Sequence, residues 1–91
     1  MIAAQADRST PADMCRLLEL VESRAILNED ACTRIVELMK RIQSAARIPG
    51  LLPKGSVVAH KTGSYRRLRN DVGLVYAPNG PYAISIVAPA V

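Results

Sequence analysis

Aromatic residues are scarce in this 91-residue sequence, which has three Tyr and no Phe or Trp. Proteins that hold single-stranded nucleic acid stack its bases on aromatic rings, so this composition argues against such a platform. No stretch approaches the roughly 18 uninterrupted apolar residues of a membrane-spanning helix, and we expect no membrane association. With 49% hydrophobic residues, the sequence is also too apolar for a disordered tail. The composition is typical of a small globular protein.

Cysteine and histidine are too few for a disulfide scaffold or a metal centre. The two cysteines, Cys15 and Cys32, lack the paired spacing of a zinc site, and His60 is the sole histidine. We therefore expect no metal, and no motif indicates a cofactor. The segment from Met1 to Arg8 does not combine a basic stretch with a long apolar run, so it does not predict an export signal.

Basic residues exceed acidic ones only mildly, because twelve Lys and Arg against eight Asp and Glu give a net charge of +4. This balance permits an anionic partner without requiring one. Arg66, Arg67 and Arg69 leave open a small basic nucleic-acid-binding module, although a solvated turn is the simpler interpretation of this cluster. A non-catalytic interaction domain is the other alternative.

Two helices are predicted in the first half of the chain. Thr10-Pro11-Ala12-Asp13 combines a hydroxyl N-cap, a proline at the first helical position and a carboxylate near the positive end of the helix dipole. Asn28-Glu29-Asp30 caps the second helix in the same way. An antiparallel hairpin would hold Cys15 and Cys32 at opposite ends, so we expect two buried free thiols. The apolar stripes are Met14, Leu17, Leu18 and Val21 in the first helix, and Cys32, Ile35, Val36, Met39 and Ile42 in the second.

Patterning of period two replaces the helical pattern after a loop that contains Pro53 and Gly55. Strands are predicted over Val57–Gly63, Val72–Tyr76 and Tyr82–Val87. The turn Pro78-Asn79-Gly80-Pro81 joins the last two. The predicted fold class is α+β, a two-helix hairpin followed by three antiparallel strands, and no linker divides residues 1–91.

The segment from Ala59 to Ser64 carries the most chemistry. It is not a phosphate-binding loop, because the run from Gly55 is one residue short of that motif and has His60 in place of its second glycine. Strand alternation points His60 away from the face used by Lys61, which favours a structural role over a general base.

Read as an edge strand, Lys61, Thr62 and Gly63 present a cation, a hydroxyl and a bare backbone in succession. The ammonium attracts a carboxylate, the hydroxyl donates to it, and the glycine lets a substrate backbone approach and pair as an extra strand. The amide of Ser64 then points at a developing oxyanion. This pattern suits an anionic, amide-like ligand.

The run Val58-Ala-His-Lys-Thr-Gly-Ser64, followed by the segment from Arg69 to Tyr82, resembles the C-terminal part of class A β-lactamases and related penicillin-recognising serine hydrolases. The segments Ser9 to Leu18 and Ile48 to Gly55 resemble the helices and loop that precede this strand in that family. The resemblance covers about residues 9–88, and Lys-Thr-Gly is one of the family's signatures.

The resemblance implies the roles of four residues in binding a β-lactam or a related carboxylate-bearing amide or ester. Lys61 steers the substrate carboxylate and Thr62 hydrogen-bonds it. Gly63 leaves room for the acyl chain, and Ser64 contributes one backbone donor of the oxyanion hole. Arg69 is a weaker candidate for a second carboxylate anchor, whereas Asn70 and Asp71 are expected to hold the turn between strands.

The reactive half of the family's machinery is missing. No serine has a lysine three positions on, and Ser-Asp-Asn does not occur. Without a nucleophile no acyl-enzyme forms. We therefore expect a C-terminal fragment, one partial domain over residues 1–91, that is inactive alone and whose full-length relatives are periplasmic or secreted. Family members build five strands, so the strand 82–87, with Ile84, Ile86 and Val87, lacks a neighbour here and is expected to self-associate.

Overall fold

A computed structural model describes residues 9–42, 47–65 and 67–89 of the chain. Its elements are α1 (Pro11–Glu22), α2 (Glu29–Lys40), a 3₁₀ helix (Ile48–Leu51), β1 (Val57–Tyr65), β2 (Leu68–Ala77) and β3 (Gly80–Pro89). The strands form one antiparallel sheet in the order β1-β2-β3. This confirms the predicted α+β order of two helices and three strands. Within the described ranges, no helix is long and apolar enough to cross a membrane.

Both helices begin where their capping residues predicted. The Oγ1 atom of Thr10 accepts a hydrogen bond from the amide of Asp13 at 3.1 Å, and the Oδ1 atom of Asn28 accepts one from Ala31 at 2.8 Å. Each bond satisfies one of the amides that an α-helix leaves unpaired in its first turn, which is worth about 1 kcal/mol. The two caps therefore fix where α1 and α2 start.

The main core lies between the two helices and one face of the sheet, which we call the helix face. α1 packs across β2 and β3, while α2 packs against β1. Most residues of the apolar stripes predicted for the helices supply its upper layer, although Leu17 is exposed, and alternate residues of the strands supply the lower one. Its buried members are Leu18, Val21, Cys32, Val36, Ala59 and Leu74.

A smaller apolar cluster covers the opposite face of the sheet, which we call the outer face. Here Ile48, from the 3₁₀ helix, packs on Val58 and Val75. Ile84 and Ile86 are partly buried against this cluster on the sheet face, whereas Val87 is exposed. The 3₁₀ helix itself was predicted as loop. β3 ends the sheet without a further strand among the described residues, and self-association through it stays a prediction.

The strands are longer than predicted, which corrects the placement of two polar residues. Asn70 and Asp71 were expected in a turn, but they lie within β2, opposite Gly63 and Thr62 of β1. Their polar side chains hid the strand pattern, and the carboxylate of Asp71 finds its partners, His60 and Ile48, inside the fold. Arg66 lies outside the described residues.

Gly73 allows β1 and β2 to approach where His60 pairs with it. A Cβ atom at position 73 would lie 2.8 Å from the carbonyl oxygen of Ala59 and 2.8 Å from the Cβ atom of His60. One is a backbone atom of the neighbouring strand and the other is the Cβ atom of His60, so neither can move away by a side-chain rotation. The bare backbone of Gly73 is therefore a packing requirement.

We expect Gly73→Ala to lower the free energy of unfolding by about 1–3 kcal/mol, the usual cost of inserting a methyl group into a tightly packed site. Gly63→Ala is the matched control, because its Cβ would meet only the side-chain amide of Asn70, which can rotate away. Urea unfolding of the two variants followed by circular dichroism measures the difference. Equal losses would contradict the account of Gly73.

A polar cluster joins both helices to β2 on the helix face. The hydroxyl of Tyr76 donates to the Oε2 atom of Glu22 in α1 at 2.8 Å, and the Nζ atom of Lys40 in α2 lies 4.6 Å from the centre of the Tyr76 ring. Burial, together with the neighbouring Glu22 carboxylate, raises the pKa of Tyr76 above its ordinary value. Tyr76 therefore stays a neutral donor and a π-face for the cation across the physiological range.

Both cysteines are free, as predicted, but their surroundings differ. Cys32 is fully buried in the main core, where its Sγ atom donates to the carbonyl of Ile26 at 3.1 Å. Cys15 is only half-buried, so the expectation that both thiols are buried was wrong for this residue. It lies on the side of α1 that faces a surface cleft beside Glu19 and Tyr82.

Candidate substrate-binding site

The segment Lys61–Ser64 lies on β1, at the edge of the sheet. Among the described residues, no strand pairs with the outer side of β1, so its backbone groups are open to an extended ligand. The Lys61 side chain is exposed, and its Nζ atom donates to the carbonyl of Thr62 at 2.6 Å. The arrangement places a cation and an open strand edge side by side.

Arg69 lies directly across from Ser64 in the strand register. Its side chain is exposed, and its Nη1 atom donates to the carbonyl of Leu68 at 3.0 Å. The structure therefore brings this predicted carboxylate anchor to the same end of the sheet as the Lys61–Ser64 segment. Its role in binding a carboxylate stays a prediction.

Arg47, which the sequence analysis did not single out, binds the same end of the sheet. Its Nη1 atom donates to the carbonyl of Asn70 at 2.7 Å and to that of Gly63 at 3.3 Å, and its Nη2 atom donates to the Oγ atom of Ser64 at 3.1 Å. One guanidinium thus clamps β1 to β2 immediately beside the predicted oxyanion donor. The partners lie 16 to 23 positions from Arg47 in the chain, so no local sequence pattern predicts these contacts.

Two clefts flank this end of the sheet. The cleft on the helix face, about 520 Å³, lies between the start of α1 and the strands, and its polar lining residues include Lys61, Asn70 and Ser85. The Oγ atom of Ser85 is buried there without a hydrogen-bond partner among the described residues. The cleft on the outer face, about 440 Å³, is lined by Arg47, Arg69 and Asn70 together with Asp71.

His60 and Asp71 form a buried pair on the outer face, behind the Lys61–Ser64 segment. The Nδ1 atom of His60 lies 2.8 Å from Oδ1 of Asp71 and 3.0 Å from Oδ2, and Oδ2 also accepts from the amide of Ile48 at 2.8 Å. His60 points away from the exposed Lys61 side chain, as strand alternation predicted. Asp71 joins two strands and the 3₁₀ helix, and does not hold a turn.

The electrostatics of the site favour an anion. Lys61, Arg47 and Arg69 bring three cationic groups to one end of the sheet, while the carboxylate of Asp71 is engaged by His60. Within residues 9–42, 47–65 and 67–89, no group of three His, Cys, Asp or Glu side chains could hold a metal ion. The three cations and the open strand edge suit the binding of an anion and the pairing of an extended backbone.

Residues 1–90 match the sequence model of a family described as "Beta-lactamase enzyme family". The chain therefore belongs to the β-lactamase enzyme family. The edge strand with its Lys-Thr-Gly run, and the helices before it, are the parts of the chain that carried the resemblance.

Individual relatives agree with this assignment and show how much of them is present. A β-lactamase of Bacteroides uniformis is 35% identical over an alignment of 81 residues, and the match covers 79% of this chain and 27% of that protein. The crystal structure of the TLA-3 extended-spectrum β-lactamase superimposes with a TM-score of 0.81 at 32% identity, covering 89% of this chain and 33% of that one. A structure of a single-site mutant of PBP-A in an acyl-enzyme complex with penicillin G gives a TM-score of 0.76 at 29% identity, covering 87% of this chain and 30% of that one. The chain thus spans about a third of the length of the relatives it matches.

Proposed function

We propose that this chain forms the substrate-binding wall of a serine β-lactamase-like hydrolase, as the C-terminal part of a larger domain. The observation that carries the proposal is the position of Lys61, Thr62, Gly63 and Ser64 in succession along an open edge strand. A substrate that combines a carboxylate with a strained amide, as a β-lactam does, matches a cation and an unpaired strand edge in that order.

Each residue of the segment has a chemical task in this proposal. The Lys61 ammonium attracts the substrate carboxylate, and the Thr62 hydroxyl donates a hydrogen bond to it. The amide of Ser64 stabilises the negative charge that develops on the carbonyl oxygen when the amide is attacked. Arg47 and Arg69 add positive potential beside this site, and Arg47 holds the backbone that carries the Ser64 amide.

The nucleophile must come from outside these 91 residues. In an acyl-enzyme mechanism a serine oxygen bonds to the lactam carbonyl carbon, the carbon–nitrogen bond breaks, and water later releases the acyl group. No serine of this sequence has a lysine three positions on to activate it. The acyl-enzyme formed by PBP-A with penicillin G supports penicillins as the substrate class to test first.

We expect the chain alone to show no turnover of a chromogenic cephalosporin above the buffer rate. A chimera in which this chain replaces the matching third of the TLA-3 β-lactamase is expected to restore turnover, because that enzyme supplies the missing two thirds. The absorbance change on ring opening measures both. The remaining part of TLA-3 without this chain is the control for residual activity.

Two results would count against the proposal. Turnover by the 91-residue chain alone would show that the reactive group lies within it. A chimera that is folded and monomeric by circular dichroism and gel filtration, yet neither hydrolyses nor is acylated by penicillin G, would show that this edge strand does not bind the substrate.

A further inference from the structure

The His60–Asp71 pair is the most deeply buried polar unit in the described part of the chain. His60 is 0% exposed and Asp71 is 3% exposed. Both nitrogens of the imidazole face oxygen atoms, because Nδ1 lies against the Asp71 carboxylate and Nε2 lies 2.9 Å from the carbonyl oxygen of Ile42. Each hydrogen-bonding partner of the pair is either a backbone group, of Ile42 or Ile48, or the other member of the pair.

The partners determine how many protons the ring needs. A carbonyl oxygen only accepts, so Nε2 must carry a proton to bond to Ile42. An ionised carboxylate also only accepts, and Asp71 receives a further bond from the amide of Ile48, so Nδ1 must carry a proton as well. A ring with two protonated nitrogens is an imidazolium. With the carboxylate ionised, a neutral ring would leave one of these buried oxygens facing a nitrogen lone pair.

The surrounding charges favour an ionised Asp71 carboxylate, which is the acceptor that the ring proton at Nδ1 requires. Two arginines line the cleft beside the Asp71 carboxylate. Arg69 lies on β2, as Asp71 does, and Arg47 lies immediately before the 3₁₀ helix. Lys61 lies on the opposite face of β1, and β3 contributes only the apolar Ile84 and Ile86 to this side. At the end of α2, Arg41 lies with Glu37 on the exposed side of the helix.

We infer that His60 is a positioning residue, held as an imidazolium by Asp71, whose charge fixes the substrate-binding segment Lys61–Ser64. The pair ties β1 to β2, to the end of α2 through Ile42 and to the 3₁₀ helix through Ile48. Arg47 precedes Ile48 and donates to the carbonyl of Gly63, which belongs to the same peptide group as the Ser64 amide. The hydrogen bond that holds this peptide group therefore depends on the position of the 3₁₀ helix. The positioning role rests on the proposed function, whereas the protonation state does not.

The protonation state is directly measurable, because the chain has one histidine. We expect the ¹⁵N spectrum of chain labelled at histidine to show two protonated ring nitrogens at pH 7.5, where an ordinary histidine, titrating at about 6.5, is mostly neutral. Asp71→Asn is the matched variant. Its side-chain NH₂ can donate to Nδ1 while its oxygen accepts from Ile48, so the variant keeps every hydrogen bond with a neutral ring protonated at Nε2 alone.

Either of two spectra overturns the inference. A native ring that is neutral at pH 7.5, or that titrates as in an unfolded peptide, shows that the proton is absent. An Asp71→Asn ring that remains doubly protonated shows that the carboxylate does not hold the proton. Asp30→Asn, which removes an exposed carboxylate at the start of α2, controls for the change in net charge and is expected to leave the spectrum unchanged.

The positioning role is tested by the response of the binding segment. As pH rises, we expect the amide resonance of Ser64 to shift together with the loss of the ring proton in the native chain, and to stay constant in Asp71→Asn.

The failure of the positioning role and the failure of the proposed function are distinguishable. If the amide resonance of Ser64 does not change when the ring loses its proton, the positioning role of His60 is wrong, even if the chimera hydrolyses β-lactams. An inactive chimera with the expected histidine spectrum leaves the ion pair intact and removes only its connection to substrate binding.

Discussion

Lys61→Ala is expected to lower kcat/KM for a carboxylate-bearing β-lactam by about 100-fold or more in the chimera with the TLA-3 enzyme, which corresponds to about 3 kcal/mol. Lys61 is exposed on the open edge strand, where its ammonium is free to turn from the Thr62 carbonyl to a substrate carboxylate. Truncation removes both a charge-assisted hydrogen bond and the local positive potential. Steady-state hydrolysis of penicillin G measures the effect.

Lys54→Ala is the matched control, because Lys54 is an exposed lysine in the turn before β1. It removes the same charge without altering the edge strand, so kcat/KM should stay within about two-fold of the parent, as expected for a solvated surface charge. Unchanged turnover in Lys61→Ala, with folding intact, would remove the Lys61–Ser64 segment from the proposed site.

Asp71→Ala is expected to lower the free energy of unfolding by about 3–5 kcal/mol, the usual cost of removing one partner of a buried ion pair. The truncation leaves the imidazole of His60 and the amide of Ile48 buried without an acceptor. Because small domains are stable by only about 5–15 kcal/mol, such a loss removes a large share of the stability of the chain. Urea titration followed by circular dichroism measures the change.

Asp30→Ala provides the comparison for this loss. Asp30 is an exposed carboxylate in the first turn of α2, where the helix dipole makes it worth about 1 kcal/mol at most. A loss in Asp71→Ala no larger than that in Asp30→Ala would contradict the structural importance of the pair.

The helices were predictable because their signals are local. Thr10 with Pro11, and Asn28 with the two acidic residues after it, mark the starts of α1 and α2 within one or two positions. Capping satisfies groups within one helical turn, so the sequence pattern and the structure describe the same bonds. The order of three antiparallel strands was also predictable from period-two patterning and the Pro78-Asn79 turn.

The strand ends were not predictable, because long-range partners decide them. Asp71 reads as a turn residue, yet its carboxylate is satisfied by His60, 11 positions away, and by Ile48, 23 positions away. Burial of a polar residue depends on such partners and not on its neighbours in the chain. The same reasoning explains why the 3₁₀ helix before the strands was taken for a loop.

The candidate site divides in the same way. Lys61 to Ser64 were found because a resemblance to a family attached chemistry to a three-residue pattern that is weak by itself. Arg47 was missed, since an arginine ahead of a Pro-Gly pair carries no local signal, and only the folded chain brings it to Gly63 and Ser64. The alternative of a nucleic-acid-binding module, which rested on Arg66, Arg67 and Arg69, stays a prediction.

The labelling rates of the two thiols report how often the interior of the chain opens. Cys32 lies wholly inside the layer between helices and sheet, so a thiol reagent reaches it only when that layer separates. Cys15, half-buried at the surface, reacts in the closed state and serves as the internal reference. The ratio of the two labelling rates therefore reports how often the helices lift from the strands, without any introduced probe.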